Sequence, residues 1–335
     1  MNSIAAIFDP AQNKTIFQKR DTKEEVPGEH DVRVEVKAIS VNPVDYKVKS
    51  SLSATNPGPR ILGWDVSGTV VELGSEVKTL HKGMDVYYAG AIQRPGGNSK
   101  FHIVDEFLVS EKPKTLSYKE AAALPLTTIT AFEAIFHKLK LDRASEKNIL
   151  IVGGAGGVGS IAIQILKQMT KSKVIVTAGR KESGDWVKSL GADTIIDYRI
   201  DFSEQLKEKG IEGADEILCF NDTDMHYSNM AKAILPFGNI CSIVETKYPL
   251  DLNSLKQKSA GFLNEFMFTR SLFQTADRIE QQKLLTEVGS LVDKGKIKST
   301  QTIDLGDMTE ENLESAHKLL LEGNVIGKIV LGGLK

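Results

Sequence analysis

Cysteine is almost missing from this chain. Its 335 residues include two, Cys219 and Cys241, beside six histidines at positions 30, 81, 102, 137, 226 and 317, with no CxxC, HxxxH or HExxH spacing. Disulfide scaffolds and the common zinc-finger and metalloprotease frameworks are therefore excluded. Charge of either sign is also not in excess. Lys and Arg total 42 against 44 Asp and Glu, a net charge of -2, which supplies no overall field for nucleic acid or an anionic membrane. Long apolar runs are lacking as well. The one uncharged stretch of note, Asn148 to Leu166, carries five glycines between Gly153 and Gly159, which break any membrane-spanning helix. Met1 to Lys14 has Asp9 and no basic segment leading into an apolar one, so it does not read as a secretory signal, and a cytoplasmic protein with no membrane partner is expected.

What is present suits a globular enzyme. A hydrophobic content of 41% and a length of about two domains at ~150 residues each allow two buried cores. From Ser3 to about Lys119 the pattern is β-rich: Val32, Val34 and Val36 alternate with charged residues, and turns such as Pro27-Gly28 and Pro95-Gly96-Gly97 punctuate it. From about Leu124 the period changes to strands alternating with helices, the mark of a parallel sheet covered on both faces. Helices are expected at 263–273, 276–294 and 309–321, the last capped by Thr309, followed by a closing strand, Gly327 to Leu331, which needs a partner in the first domain.

The clearest motif joins these elements. Strand Ile149 to Val152 runs into Gly153-Gly154-Ala155-Gly156-Gly157-Val158-Gly159, in which Gly154, Gly156 and Gly159 satisfy GxGxxG, and an apolar helix follows. Such a strand, turn and helix cradle a dinucleotide pyrophosphate on backbone N–H groups at the helix N-terminus. The next strand ends at Thr177-Ala178-Gly179-Arg180-Lys181, with no Asp or Glu to hold a ribose 2′-hydroxyl. Arg180 and Lys181 suit a 2′-phosphate instead, so NADPH is the expected cofactor.

Asn42-Pro43-Val44-Asp45, Gly63-Trp64-Asp65-Val66-Ser67-Gly68, Leu124-Pro125-Leu126-Thr127-Thr128 and the closing Gly327-Lys328-Ile329-Val330-Leu331, in this order around the glycine loop, resemble the medium-chain dehydrogenase/reductase superfamily. Within it the chain is similar to the zinc-free quinone oxidoreductase (zeta-crystallin-like) branch and to the bacterial zinc-type alcohol dehydrogenase-like subgroup. The resemblance implies an α/β chain with a GroES-like β-rich catalytic domain, residues 1–122 with 270–335, and a doubly wound Rossmann cofactor domain, residues 123–269. Zinc enzymes of the superfamily place a cysteine where Asn42 stands and a histidine where Trp64 stands. Neither replacement is a zinc ligand, so no metal residues are expected. The resemblance also implies that Asn42 faces nicotinamide and substrate, Thr130 the nicotinamide, and Tyr198 the adenosine end. Asn42 to Lys47 match the Asn-Pro-x-Asp-x-Lys of enone-reducing relatives, which makes Lys47 and Tyr46 candidate catalytic groups, with Asp45 expected to cap its helix. The cofactor set is Thr130, Gly154, Ala155, Gly156, Gly157, Val158, Gly159, Gly179, Arg180, Lys181 and Tyr198. The expected activity is metal-independent transfer of hydride from NADPH to a quinone or α,β-unsaturated carbonyl. A zinc-type alcohol dehydrogenase and a non-catalytic NADPH-binding or RNA-associating protein are the alternatives. Strand Asn239 to Val244, read as the edge of the cofactor sheet, is the expected seam of a homodimer.

Overall fold

The computed structural model describes residues 2–21 and 25–335. The chain divides into two compact units, Met1–Leu126 with Phe268–Lys335, and Thr127–Met267. It opens on an antiparallel hairpin, β1 (Asn2–Asp9) and β2 (Lys14–Asp21). In β3 (Asp31–Ser40) Val32, Val34 and Val36 are buried and the intervening residues half-buried, as a strand with one core face demands. Helix α1 (Pro43–Ser50) follows with proline in its first turn, where the missing N–H costs nothing. Next come β4 (Arg60–Ile61), β5 (Asp65–Leu73), β6 (Asp85–Ala89), β7 (Phe101–Asp105), β8 (Val109–Glu111) and α2 (Tyr118–Ala122), the last capped by Ser117 and Glu120.

In the second unit, α3 (Pro125–Phe132) and a π-helical turn, Glu133–Lys138, lead into β9 (Asn148–Val152). Strand and helix then alternate: α4 (Gly157–Met169), β10 (Lys173–Thr177), α5 (Lys181–Ser189), β11 (Thr194–Ile196), α6 (Phe202–Glu208), β12 (Ala214–Cys219), α7 (Thr223–Ala233), β13 (Ile234–Ser242), α8 (Asn253–Lys256) and β14 (Gly261–Asn264). The six strands pair in parallel in the order β11-β10-β9-β12-β13-β14. That order places the topological switch point between β9 and β12, where a doubly wound sheet receives its ligand. Both cysteines lie on this sheet, in β12 and β13, and burial pushes their thiols up to about 11 for Cys219 and about 12 for Cys241. They behave as small core side chains.

The chain then returns to the first unit through α9 (Thr269–Leu272), α10 (Glu280–Asp293), β15 (Gln301–Asp304), α11 (Glu310–Leu321) and β16 (Lys328–Gly332). β16 pairs antiparallel with β3 and parallel with β15, completing a seven-stranded sheet. Thr309 caps α11 by accepting from the Asn312 N–H.

Two sequence expectations are corrected. The strand expected at 239–244 is β13, but it is not the edge of the cofactor sheet, because β14 pairs along it from Asn239 to Ser242. The helix expected over 263–273 is instead β14 followed by the single turn of α9. The apolar run Phe266-Met267-Phe268 gave that segment a helical look, while a four-residue strand is too short to show its own period. No helix among the described residues is long and apolar enough to cross a membrane.

Candidate active site

The glycine loop leaves the C-terminal end of β9 at the switch point. Gly153, just ahead of the motif, makes the turn: its φ is +85°, a left-handed value that glycine adopts freely, and its N–H donates to Thr177 Oγ1 at 3.1 Å. Two motif glycines are required by packing. A Cβ on Gly154 would lie 1.9 Å from Val176 Cγ1, and one on Gly159 would lie 2.5 Å from both the Gly153 carbonyl oxygen and Gly154 Cα. Gly156 is different. With φ -72° and ψ 176° it sits where any residue can, and a Cβ there would meet only the Gly153 oxygen, at 3.6 Å. Neither backbone nor packing calls for glycine at 156. Open space at the N-cap of α4, beside the N–H groups of Gly157, Val158 and Gly159 that have no intrahelical acceptor, fits a pyrophosphate. The loop therefore suits a dinucleotide.

Beside it, at the end of β10, Gly179 has the Tyr198 ring against it, so a Cβ would stand 2.4 Å from Tyr198 Cε1. Tyr198 in turn meets His226 edge-on at 5.9 Å. Arg180 is the N-cap of α5, its backbone N–H donating to Ser183 Oγ at 3.2 Å, and its side chain is exposed. Lys181 is exposed too, but its ammonium pairs with Asp185 one turn along the helix. Thr130 is buried in α3. The loop, Gly179, Arg180 and Tyr198 thus lie together at one end of the parallel sheet.

Asn42, Tyr46 and Lys47 belong to the other unit, and the structure separates them by environment. Tyr46 is half-buried and Lys47 exposed on α1, whereas Asn42 is 2% exposed and lies in a polar cluster that sequence reasoning did not assemble. Its Nδ2 donates to Asp65 Oδ2 at 2.8 Å, and its Oδ1 accepts from Lys328 Nζ at 2.6 Å. Lys328 also donates to the Val41 carbonyl at 2.8 Å and stands 3.3 Å from Asp65 Oδ2. Asp65 Oδ1 takes the Leu126 N–H at 2.8 Å. Asp45 caps α1 by accepting the Asn42 N–H at 2.7 Å and also takes the Gly63 N–H at 3.0 Å.

These charges are buried, and that shifts all three. Burial pushes Asp45 up to about 7 against the pull of its two N–H donors and Lys328. Burial likewise raises Asp65, opposed by the Lys328 ammonium, and lowers Lys328, opposed by Asp65. The one signal in the sequence for Lys328 is a lysine heading an otherwise apolar strand, since a buried lysine needs carboxylate or carbonyl partners.

Zinc does not fit these residues. The Asn42 oxygen already takes the Lys328 ammonium and its amide nitrogen is no metal ligand, and Trp64 is wholly buried with an indole that offers a donor and no lone pair for a metal. Among the described residues no group of three or more His, Cys, Asp or Glu is placed to hold a metal ion.

A β-rich unit carrying a buried amide and charge cluster, joined in one chain to a parallel sheet whose glycine loop suits a dinucleotide, has the layout of an oxidoreductase. Residues 28–110 match the alcohol dehydrogenase GroES-like domain family and residues 190–331 the zinc-binding dehydrogenase family. A zinc-type alcohol dehydrogenase-like protein of Staphylococcus aureus is 39% identical over 320 residues, 94% of this chain and 95% of that protein. A crystal structure from Rhizobium etli CFN 42, of a protein named after zinc-dependent alcohol dehydrogenases, superposes with a TM-score of 0.93 at 41% identity, covering 100% of this chain and 99% of that one. An NADPH-dependent alkenal/one oxidoreductase of Arabidopsis thaliana is 37% identical over 189 residues, 54% of this chain and 48% of that protein. The chain belongs to the medium-chain dehydrogenase/reductase superfamily.

Proposed function

We propose that the protein is an NADPH-dependent reductase of conjugated carbonyl compounds, α,β-unsaturated ketones and aldehydes or quinones, working without a metal. The observation that carries this reading is the state of Asn42. Its Oδ1 and one Nδ2–H are engaged by Lys328 and Asp65, which leaves a second Nδ2–H with no partner among the described residues. A fixed donor of that kind stabilises a carbonyl oxygen as it gains negative charge, at no cost of reorganisation during the reaction. Amide hydrogen bonding is a modest electrophile compared with a metal ion. Conjugated acceptors suit it because they spread the incoming charge, whereas saturated ketones do not. The name of the Arabidopsis relative supports the same acceptor class and cofactor.

When bound, NADPH would supply the hydride for the acceptor's β-carbon. The chain's own residues bind, orient and move protons. Backbone N–H groups at Gly157 to Gly159 would hold the pyrophosphate, Arg180 the 2′-phosphate and Tyr198 the adenosine end. Asn42 hydrogen-bonds the carbonyl oxygen. Tyr46 and Lys47, on the same helix that Asn42 caps, carry transferable protons for the α-carbon.

The test is NADPH oxidation by the purified protein with enones, alkenals, quinones and simple alcohols or ketones, with and without a chelator. Turnover confined to conjugated acceptors and indifferent to the chelator is expected. Turnover of simple alcohols that a chelator abolishes overturns the proposal.

A further inference from the structure

We propose that Lys328 is a positioning residue that sets the direction and donor strength of the Asn42 amide. The proposal rests on the reading of Asn42 given above. Lys328 heads the last strand of the chain, is 4% exposed, and directs its ammonium at three oxygens: Asn42 Oδ1 at 2.6 Å, the Val41 carbonyl at 2.8 Å and Asp65 Oδ2 at 3.3 Å. Three donors and three acceptors leave it saturated. Asn42 is then held from opposite ends by groups of opposite charge, the ammonium on its oxygen and the Asp65 carboxylate on its nitrogen. Rotating the amide by half a turn would set NH₂ against ammonium and oxygen against carboxylate. Only one orientation is compatible with both partners, and it fixes where the unused Nδ2–H points.

The neighbours of Lys328 are also held. Asp65 is anchored by the Leu126 N–H, and the backbone of Asn42 is anchored by Asp45. The cluster therefore passes little movement to Asn42 unless the ammonium itself is removed. A cation on Oδ1 also draws electron density from the amide nitrogen and makes its N–H a stronger donor in a low-dielectric setting. This effect grows with charge on the acceptor oxygen, so it favours the transition state over the bound substrate.

The test is a double-mutant cycle with Lys328→Met, Lys328→Gln and Asn42→Ala, using an enone as acceptor. Lys328→Met is expected to lower kcat by roughly tenfold to a hundredfold, the scale of misplacing a catalytic group by about 1 Å, with KM for the enone changed little. Lys328→Gln keeps a neutral donor for Asn42 Oδ1, guards against loss of folding, and is expected to recover part of that loss. In the Asn42→Ala background neither change is expected to lower kcat further. The Kd for NADPH, read by fluorescence titration, is expected to stay within twofold in every variant. If the Lys328 and Asn42 effects on kcat multiply, or the loss appears in the NADPH Kd, Lys328 acts only as a structural residue and the proposal fails while the reading of Asn42 stands. If Asn42→Ala alone leaves kcat unchanged, the reading of Asn42 fails and the positioning role falls with it.

Discussion

Gly156→Ala separates a glycine kept for a ligand from glycines kept for the fold. At φ -72° and ψ 176° alanine is unstrained, and its Cβ would meet only one protein atom, the Gly153 oxygen at 3.6 Å. Removing a glycine from such a position stabilises by about 0.4–1 kcal/mol through the unfolded chain. Gly156 is also the N-cap of α4, where alanine is poorer than glycine by a similar amount. The two effects oppose each other, so the cofactor-free melting temperature should move by less than about 3 °C. Binding should respond quite differently. The methyl group would occupy the space in which a phosphate oxygen approaches the N–H groups of α4, and losing one hydrogen bond to a charged group costs about 1.5–3 kcal/mol. That corresponds to a rise in the NADPH Kd of roughly tenfold to a hundredfold. Gly159→Ala is the contrast. Its Cβ would collide with backbone at 2.5 Å, and overpacking of this kind costs about 1–3 kcal/mol of stability. Calorimetry on the free proteins and fluorescence titration with NADPH measure both quantities. A Gly156→Ala protein that binds NADPH within twofold of the parent would refute the reasoning, as would one that melts as low as Gly159→Ala.

Further outcomes follow from the same geometry. Arg180→Ala should raise the NADPH Kd about tenfold, the loss of one charge-assisted contact, and leave NADH binding unchanged; equal losses for both nucleotides would remove Arg180 from the 2′-phosphate. Lys181→Ala should matter less, because that ammonium already pairs with Asp185. Burial holds His317 down to about 3 and His102 down to about 4, while in the unfolded chain both titrate near ~6.5. The unfolded state therefore takes up protons first, and the stability these two residues contribute is full above that pH and lost as pH falls toward 4 and then 3. Asp45, raised to about 7, and Asp65, also raised by burial, run the other way, while burial lowers His226 as it does the other two histidines. Melting temperature should decline between pH 6.5 and 4.5, and the decline should be shallower in His317→Leu; an unchanged slope would show that His317 is not held neutral. For assembly, β14 is the end strand of the cofactor sheet among the described residues and presents its edge in place of β13. We propose a homodimer across it, with light scattering returning twice 36.7 kDa; the monomer mass at micromolar concentration would rule this out.

What could be read from the sequence was what is contiguous in it. The glycine loop shows itself because strand, turn and helix follow within about twenty residues, and its period changes where the structure changes. The Asp45 cap was legible for the same reason, lying three residues from the N–H it accepts. The partner of Asn42 was not, since Lys328 is 286 positions away and reaches it only once β16 has paired with β3. The edge of the cofactor sheet was misplaced because β14 is four residues long, shorter than the window in which a strand alternation can be seen. The reason for each glycine was likewise hidden. Gly154 and Gly159 answer to Val176 and to backbone, and Gly156 answers to neither.

The return of the chain through β16 bears on how the protein is made. Thr127–Met267 is a single uninterrupted segment, so all of its strands are synthesised before the other unit is complete. The unit that begins earlier is incomplete at that stage, because its sheet lacks β16 and Asp65 has no ammonium beside it until residue 328 emerges. Domains generally fold in the order of synthesis, and here the unit whose segments are complete first is Thr127–Met267. Asn42 and its neighbours wait, beside an open sheet edge, for a lysine 286 positions further along the chain. Nascent-chain protease protection should therefore appear in Thr127–Met267 first, and chaperone engagement should concentrate on the discontinuous unit.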